Sequence, residues 1–85
     1  MKVIHKFKTD RGLSRILVPE GEILLVGSQN NESLPTAWVA YEAGTEVSKE
    51  LLIVGTGWEV PEGVVHIGSA VCGDFVWHVY ERLLH

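Results

Sequence analysis

The residues best suited to chemistry are two histidines in the second half of the chain, His66 and His78, and a glycine turn that precedes them. Imidazole groups bind metal ions, exchange protons near neutral pH and form hydrogen bonds. The turn exposes backbone amides that no Cβ covers, and such amides can surround an anion. An aromatic residue that can stack on a ring follows directly. The candidate ligand site therefore comprises Gly55, Thr56, Gly57, Trp58, His66 and His78.

Each of these features also has a purely structural interpretation. Two histidines without a third ligand make a poor zinc site, so we predict no metal and treat hydrogen-bonded surface imidazoles as the alternative. The glycine turn lacks the lysine of a P-loop and no helix follows it, so a tight turn is the alternative there. A lone cysteine in a strand, Cys72, is typical of a buried thiol rather than a nucleophile. We predict no catalytic residues, no cofactor and no enzymatic activity.

A repeated tetrapeptide, Val-Pro-Glu-Gly, divides the chain into two similar units at positions 18–21 and 60–63. Alignment of the segments after the two copies suggests half-repeats over residues 13–44 and 55–82. In this alignment Leu25 corresponds to His66 and Val39 corresponds to His78, so a polar site is predicted in the second half. True duplication and convergence on the common residues of hairpins both remain open.

The hairpin that carries both histidines decides whether they can cooperate. A three-residue loop of Cys72, Gly73 and Asp74 places His66 and His78 on one face of the sheet. A two-residue loop of Gly73 and Asp74 shifts the pairing by one position and turns the histidines to opposite faces. The site hypothesis therefore depends on one residue of register.

Period-2 alternation and branched apolar runs predict strands throughout, and no segment keeps a helical period. The predicted strands are 2–8, 13–18, 23–26, 36–43, 46–54, 64–71 and 75–81, with a turn at 10–12 and a tail or helical turn at 82–85. The fold class is all-β and mainly antiparallel, a small sandwich or partly open barrel in a single domain over 1–85. We expect the run 23–26 to be a central strand covered on both faces. Trp38 and Trp77 are predicted in the core, and Trp58 is predicted to be exposed.

Composition limits the compartment and the partners. The single cysteine excludes an internal disulfide, and no apolar segment resembles a signal peptide or a membrane span, so we expect a cytoplasm and no membrane contact. Most of the basic side chains lie near the start of the chain, where they would keep a sheet edge soluble or make weak contacts with phosphates. These are Lys2, Lys6, Lys8, Arg11 and Arg15. The net charge of −4 disfavours a dedicated nucleic-acid binder.

The chain resembles a family of small uncharacterised proteins found in bacteriophages and prophages. The segments that carry the resemblance are Ile53-Val54-Gly55-Thr56-Gly57, Ile67-Gly68 and Phe75-Val76-Trp77-His78-Val79-Tyr80-Glu81. The resemblance extends over nearly the whole chain. This chain departs from the family pattern with a longer polar loop at 31–35. The resemblance implies a phage origin and a role in the cytoplasm of the bacterial host, and it brings no known activity.

These observations favour a non-enzymatic accessory protein that acts by binding. The leading hypothesis is a counter-defence protein that sequesters a nucleotide-like ligand or blocks a host protein, and that forms a homo-oligomer. The alternatives are an assembly module that uses β-edge and aromatic contacts, and weak nucleic-acid binding through the basic first strand.

Overall fold

The computed structural model describes residues 1–9, 15–30 and 32–82, which form seven strands and no helix. The strands are β1 (Lys2–Lys8), β2 (Arg15–Pro19), β3 (Glu22–Gly27), β4 (Thr36–Glu42), β5 (Ser48–Gly55), β6 (Val64–Cys72) and β7 (Phe75–Arg82). The all-β prediction is therefore confirmed. The predicted turn at 10–12, residues 13–14 of the predicted second strand and residues 83–85 of the predicted tail lie outside the described residues. Arg82, predicted as the first residue of that tail, belongs to β7 instead.

The strands form two antiparallel sheets that pack face to face and do not close into a barrel. One sheet has the order β1-β4-β3 and the other has the order β2-β5-β7-β6. Side chains from the inner faces of both sheets meet in one core, whose fully buried members include Val18, Val39 and Leu51. The structure is therefore a sandwich, in which the two inner faces supply the apolar contacts.

The apolar run 23–26 was wrongly predicted to be a central strand. It lies in β3 at the edge of the three-stranded sheet, and β4 is the central strand. The pairing of β3 with β4 shifts register between Ile23 and Leu25, so Ile23 and Val26 pack inward while Leu24 and Leu25 are exposed. A run of apolar residues cannot distinguish a doubly covered strand from an edge strand whose bulge sends neighbouring residues to one side.

The prediction for the tryptophans is confirmed at two positions and wrong at one. Trp58 is exposed and Trp77 packs against the core, as expected. Trp38 is half-buried on the outer face of its sheet, because the inward positions of β4 belong to Ala37, Val39 and Tyr41. Trp38 and Trp77 therefore face opposite directions relative to the core although the half-repeats align them.

The two Val-Pro-Glu-Gly copies have different structures. The first contributes Val18 and Pro19 to β2, and Val18 is buried in the core at 1% exposure. The second lies between β5 and β6 outside any strand, and its Val60 is 44% exposed. The duplication itself stays a prediction.

A matched pair of substitutions tests where the core lies. Leu51 is completely buried between the sheets, whereas Leu17 is 66% exposed on β2. Replacing Leu51 by Ala should lower the free energy of unfolding by about 2–5 kcal/mol, because it removes buried methyl groups and leaves a cavity. The same replacement at Leu17 should change it by less than about 0.5 kcal/mol. Urea unfolding measures both, and equal losses would contradict this placement of the core.

Candidate functional site

The β6–β7 hairpin uses the shorter of the two loops considered from the sequence. Cys72 pairs with Phe75, so Gly73 and Asp74 form a two-residue loop. Gly73 has a φ of 63°, which places glycine at the first central position, as in a type II′ turn. With uninterrupted pairing, this register would send His66 and His78 to opposite faces of the sheet.

A β-bulge in β6 changes that outcome. The register shifts between His66 and Gly68, so His66 pairs with Tyr80 while Ser69 pairs with His78. Ile67 packs against the core beside the bulge, and one extra residue is thereby accommodated in β6. Both histidines consequently lie on the outer face of the four-stranded sheet. The prediction that a two-residue loop separates them was wrong, because it assumed a regular ladder.

The two histidines are joined by a chain of side-chain hydrogen bonds, here called the imidazole network. It consists of His66, Ser69, His78 and Thr56. Ser69 Oγ lies 3.1 Å from Nε2 of His66 and 2.8 Å from Nδ1 of His78. The other ring nitrogen of His78, Nε2, lies 3.0 Å from Oγ1 of Thr56. Three of the predicted site residues therefore belong to one connected group.

The donors and acceptors assign a direction to the imidazole network. The Thr56 hydroxyl lies 3.1 Å from the carbonyl oxygen of Val76, which can only accept, so Thr56 donates its single proton there. His78 must then donate to Thr56 from Nε2, which leaves Nδ1 of the neutral ring as an acceptor for the Ser69 hydroxyl. His66 completes the chain by donating to Ser69 from Nε2. Every donor in the network is used, and the chain runs from His66 to Val76.

Two members of the site were missed by the sequence analysis. Ser69 links the rings, and Tyr80 packs edge-on against His66 with ring centroids 5.2 Å apart. Once the bulge is known, cross-strand pairing identifies both, since directly opposed residues on one face of a sheet are neighbours.

The glycine turn is explained by its own backbone. The amide of Trp58 donates to the carbonyl of Gly55 at 3.0 Å, and Gly57 has a φ of 89° at the third position, as a type II turn requires. A Cβ at Gly55 would lie 2.9 Å from the indole of Trp58, so the ring needs glycine beneath it. The Trp58 amide is used within the turn, and the turn holds Thr56 and Trp58 in place.

An open groove begins where the turn ends. It has a volume of about 440 Å³, and its walls include the rings of Trp58, Phe75 and Trp77. Trp58 meets Trp77 edge to face with ring centroids 5.5 Å apart, and the indole N–H of Trp77 donates to the carbonyl of Ser33 at 2.8 Å. The volume is in the range of small-molecule sites. Aromatic walls of this kind suit a planar ring.

Thr56 connects the aromatic groove to the imidazole network. It lines the groove and also accepts the hydrogen bond from His78. Of the predicted site residues, Thr56, His66 and His78 form the network, Trp58 forms a groove wall, and Gly55 and Gly57 shape the turn between them. Asp74 lines the groove as well and gives it a negative charge.

Other candidate chemistry finds little support in the described residues. Cys72 is completely buried, and burial raises the pKa of its thiol against a smaller lowering by a hydrogen bond with Ser28. A thiol of this kind is a weak nucleophile. The part of the chain that the structure describes contains no group of three or more His, Cys, Asp or Glu side chains that could hold a metal ion.

The basic residues near the start of the chain do not form one surface. β1 is an edge strand, and Lys6 and Lys8 lie on the outer face of the three-stranded sheet, where they contact Gln29 and Glu32. Arg15 lies in the other sheet and forms an ion pair with Glu50 at 3.0 Å. Arg11 is outside the described residues.

The fold and site define a small β-sandwich domain that carries a polar imidazole network beside an aromatic groove. The chain belongs to the family described as Domain of unknown function (DUF7352), which matches residues 1–84. The expected membership of an uncharacterised family is thereby confirmed. Comparison with curated proteins and with solved structures gave no match. Within the described residues no helix has the length and apolar character to cross a bilayer.

The direction of the imidazole network predicts the tautomer of His78. With Thr56 committed to the carbonyl of Val76, neutral His78 should carry its proton on Nε2. Replacing Thr56 by Val removes the acceptor of that proton and should raise the share of the Nδ1–H tautomer. Long-range ¹⁵N–¹H NMR of the imidazoles above pH 8 reads both forms. A predominant Nδ1–H form in the unsubstituted protein would contradict the assigned direction.

A substitution at Gly55 tests how the groove wall is held. The Cβ of Gly55→Ala would collide with the Trp58 indole, so the ring should move and lose its edge-to-face contact with Trp77. The circular dichroism signal that arises from coupling between the Trp58 and Trp77 indoles should therefore decrease. Gly27→Ala, whose backbone has no positive φ and whose Cβ would lie 4.0 Å from the nearest atom, in Trp38, controls for the loss of a glycine and should keep the signal. An unchanged signal in Gly55→Ala would show that Trp58 does not depend on the bare backbone beneath it.

Proposed function

We propose that this protein is a non-enzymatic binding protein whose groove holds a small nucleotide-like ligand, with a planar ring in the groove and an anionic group toward the imidazole network. The observation that carries the proposal is the shared position of Thr56. Its hydroxyl is hydrogen-bonded within the imidazole network, and the same residue lines the groove. Because Trp77 faces the core and His78 lies on the outer face of β7, one ligand contacts both parts by passing around Thr56, at the end of β5.

The walls of the groove support a planar ring. Trp58 and Phe75 are 58% and 59% exposed, which is unusual for side chains of this size and leaves aromatic surface available for stacking. Trp77 is fixed by its hydrogen bond to Ser33 and by its packing against the core. A ring that enters the groove thus meets Trp77 already in position, which limits the conformational entropy lost on binding.

Charge supports one orientation of the ligand. Asp74 at the groove repels a phosphate and can accept a hydrogen bond from an exocyclic amino group of a base. The imidazole network lies on the other side of Thr56 and supplies groups that can become positive. The base therefore lies by Asp74 and the phosphate by His78.

The resemblance extends this proposal to a biological setting. In that setting the protein is a phage accessory protein in the host cytoplasm, and capture of a nucleotide-like ligand serves as counter-defence. Blocking a host protein is the other route to the same end. Both remain predictions that rest on the family resemblance rather than on the geometry of the groove.

Native mass spectrometry tests ligand capture. The protein is purified from a bacterial cytoplasm and measured alone and with a mixture of nucleotides and cyclic nucleotides. We expect a mass increase that corresponds to one nucleotide per chain. Replacing Trp58 by Ala should weaken binding about 5- to 150-fold, since stacking a base on an aromatic side chain is worth about 1–3 kcal/mol.

The matched control is Leu25→Ala, which shortens a side chain of the same 58% exposure on the other sheet and should leave binding unchanged. A monomer that takes up no nucleotide would contradict the proposal. A defined oligomer without ligand would favour the assembly module, and salt-sensitive binding of DNA or RNA would favour contacts through β1.

A further inference from the structure

The imidazole network has no donor to spare for an anion while both rings are neutral. His66 donates to Ser69, Ser69 donates to His78, and His78 donates to Thr56, whose own proton is held by the carbonyl of Val76. Ser69 is exposed at the middle of this chain, yet its hydroxyl hydrogen points to a ring nitrogen. A phosphate that approached Ser69 would meet lone pairs rather than a donor.

A proton added to Nδ1 of His78 reverses one link of the chain. Ser69 then accepts hydrogen bonds from both rings, at the two distances of 3.1 and 2.8 Å already present, so no large movement is needed. Its own hydrogen is released and can turn toward solvent. The same step places a positive charge beside Ser69. One proton therefore supplies both the donor and the charge that an anion requires.

We infer that Ser69, His66 and His78 form a phosphate subsite that takes up one proton when it binds a phosphate monoester. The inference rests on the proposed function and names the group that the network recognises and the condition for recognition. Coupling is reciprocal, so the bound phosphate raises the proton affinity of His78 by the same factor by which protonation raises the affinity for phosphate. Above about pH 6, where the monoester is a dianion, binding weakens as the pH rises.

The surroundings explain why a proton is needed. Among the described residues no Lys or Arg forms a hydrogen bond with the network. On the same face, β7 contributes the phenol of Tyr80 beside His66, and β5 contributes Glu50. Glu50 is already paired with Arg15 and Arg82. The groove that Thr56 lines also carries the carboxylate of Asp74, which does not attract a phosphate.

A neutral route to the same donor exists and must be distinguished. If Thr56 turned its hydroxyl from Val76 to Nε2 of His78, the ring could carry its proton on Nδ1 and Ser69 would be released without proton uptake. This route gives up the hydrogen bond between Thr56 and the carbonyl of Val76 and supplies no positive charge. The number of protons taken up per bound ligand separates the two routes.

Isothermal titration calorimetry provides that number. Adenosine monophosphate and adenosine are titrated into the full chain at pH 7.5 in two buffers of different ionisation enthalpy, neither of them phosphate. We expect the monophosphate to bind more tightly than adenosine and to take up about one proton per chain. Its Kd should rise by up to about tenfold per pH unit where the free imidazoles are neutral. Adenosine should bind without proton uptake.

Variants locate the proton. Ser69→Ala and His78→Gln should reduce the affinity for the monophosphate to that for adenosine and abolish proton uptake, while adenosine binding persists. The matched control is His5→Gln in the three-stranded sheet. It removes an exposed imidazole that contacts Tyr41 of the same sheet, and it should change neither quantity. Circular dichroism confirms that each variant is folded.

Four outcomes would overturn the inference. Equal affinity for adenosine and its monophosphate would leave ligand binding by the groove intact and remove the phosphate subsite. Binding of the monophosphate without proton uptake would establish the neutral route instead. Proton uptake that persists in the double variant His66→Gln/His78→Gln would place the proton on the ligand. If neither compound binds, the proposed function fails together with the inference.

Discussion

The arrangement of the site depends on the bulge in β6. The core requires Ile67 to pack inward and Gly68 to lie opposite Val79, where a Cβ would already contact Val26 of β3 at 3.4 Å. A regular ladder cannot satisfy these requirements and also keep His66 and Ser69 on one outer face, because side chains alternate with period 2. One inserted residue resolves the conflict.

The bulge affects both the packing of the core and the arrangement of side chains on the outer face. Inside, β3 and β6 approach closely and complete the sandwich around Val39, Leu51 and Val79. Outside, the bulge places the hydroxyl of Ser69 between His66 of its own strand and His78 of β7. Bulges commonly re-aim side chains next to functional sites. The bulge is thus the feature that brings these polar side chains close enough to form the imidazole network.

The fold class was largely predictable from the sequence, whereas strand order and face assignment were not. Alternation and turn residues located the strands, including the one predicted at 46–54, which is β5 (Ser48–Gly55) in the structure. They failed for 23–26 and for Trp38 because an edge strand, a central strand and a bulged strand share the same apolar composition. Pattern reveals which residues are apolar, and only pairing decides which side of the sheet they occupy.

The candidate site was predictable in its residue types but not in its connections. His66, His78, Thr56 and Trp58 were identified as suitable groups, yet Ser69 was not, since serine in a strand is common and carries no signal of its own. Its importance comes from lying opposite His78 and three residues after His66. The aromatic groove lies on one side of Thr56 and the imidazole network on the other. This arrangement could be recognised only from the strand pairing in three dimensions.

NMR shift mapping of the full chain with adenosine monophosphate tests most directly whether the groove and the imidazole network bind one ligand. We expect the indole N–H of Trp58, the backbone amide of Ser69 and the ring signals of His78 to shift together and to report one Kd. Shifts confined to Lys2, Lys6 and Lys8 on β1, or no shifts at any ligand concentration, would contradict a shared site.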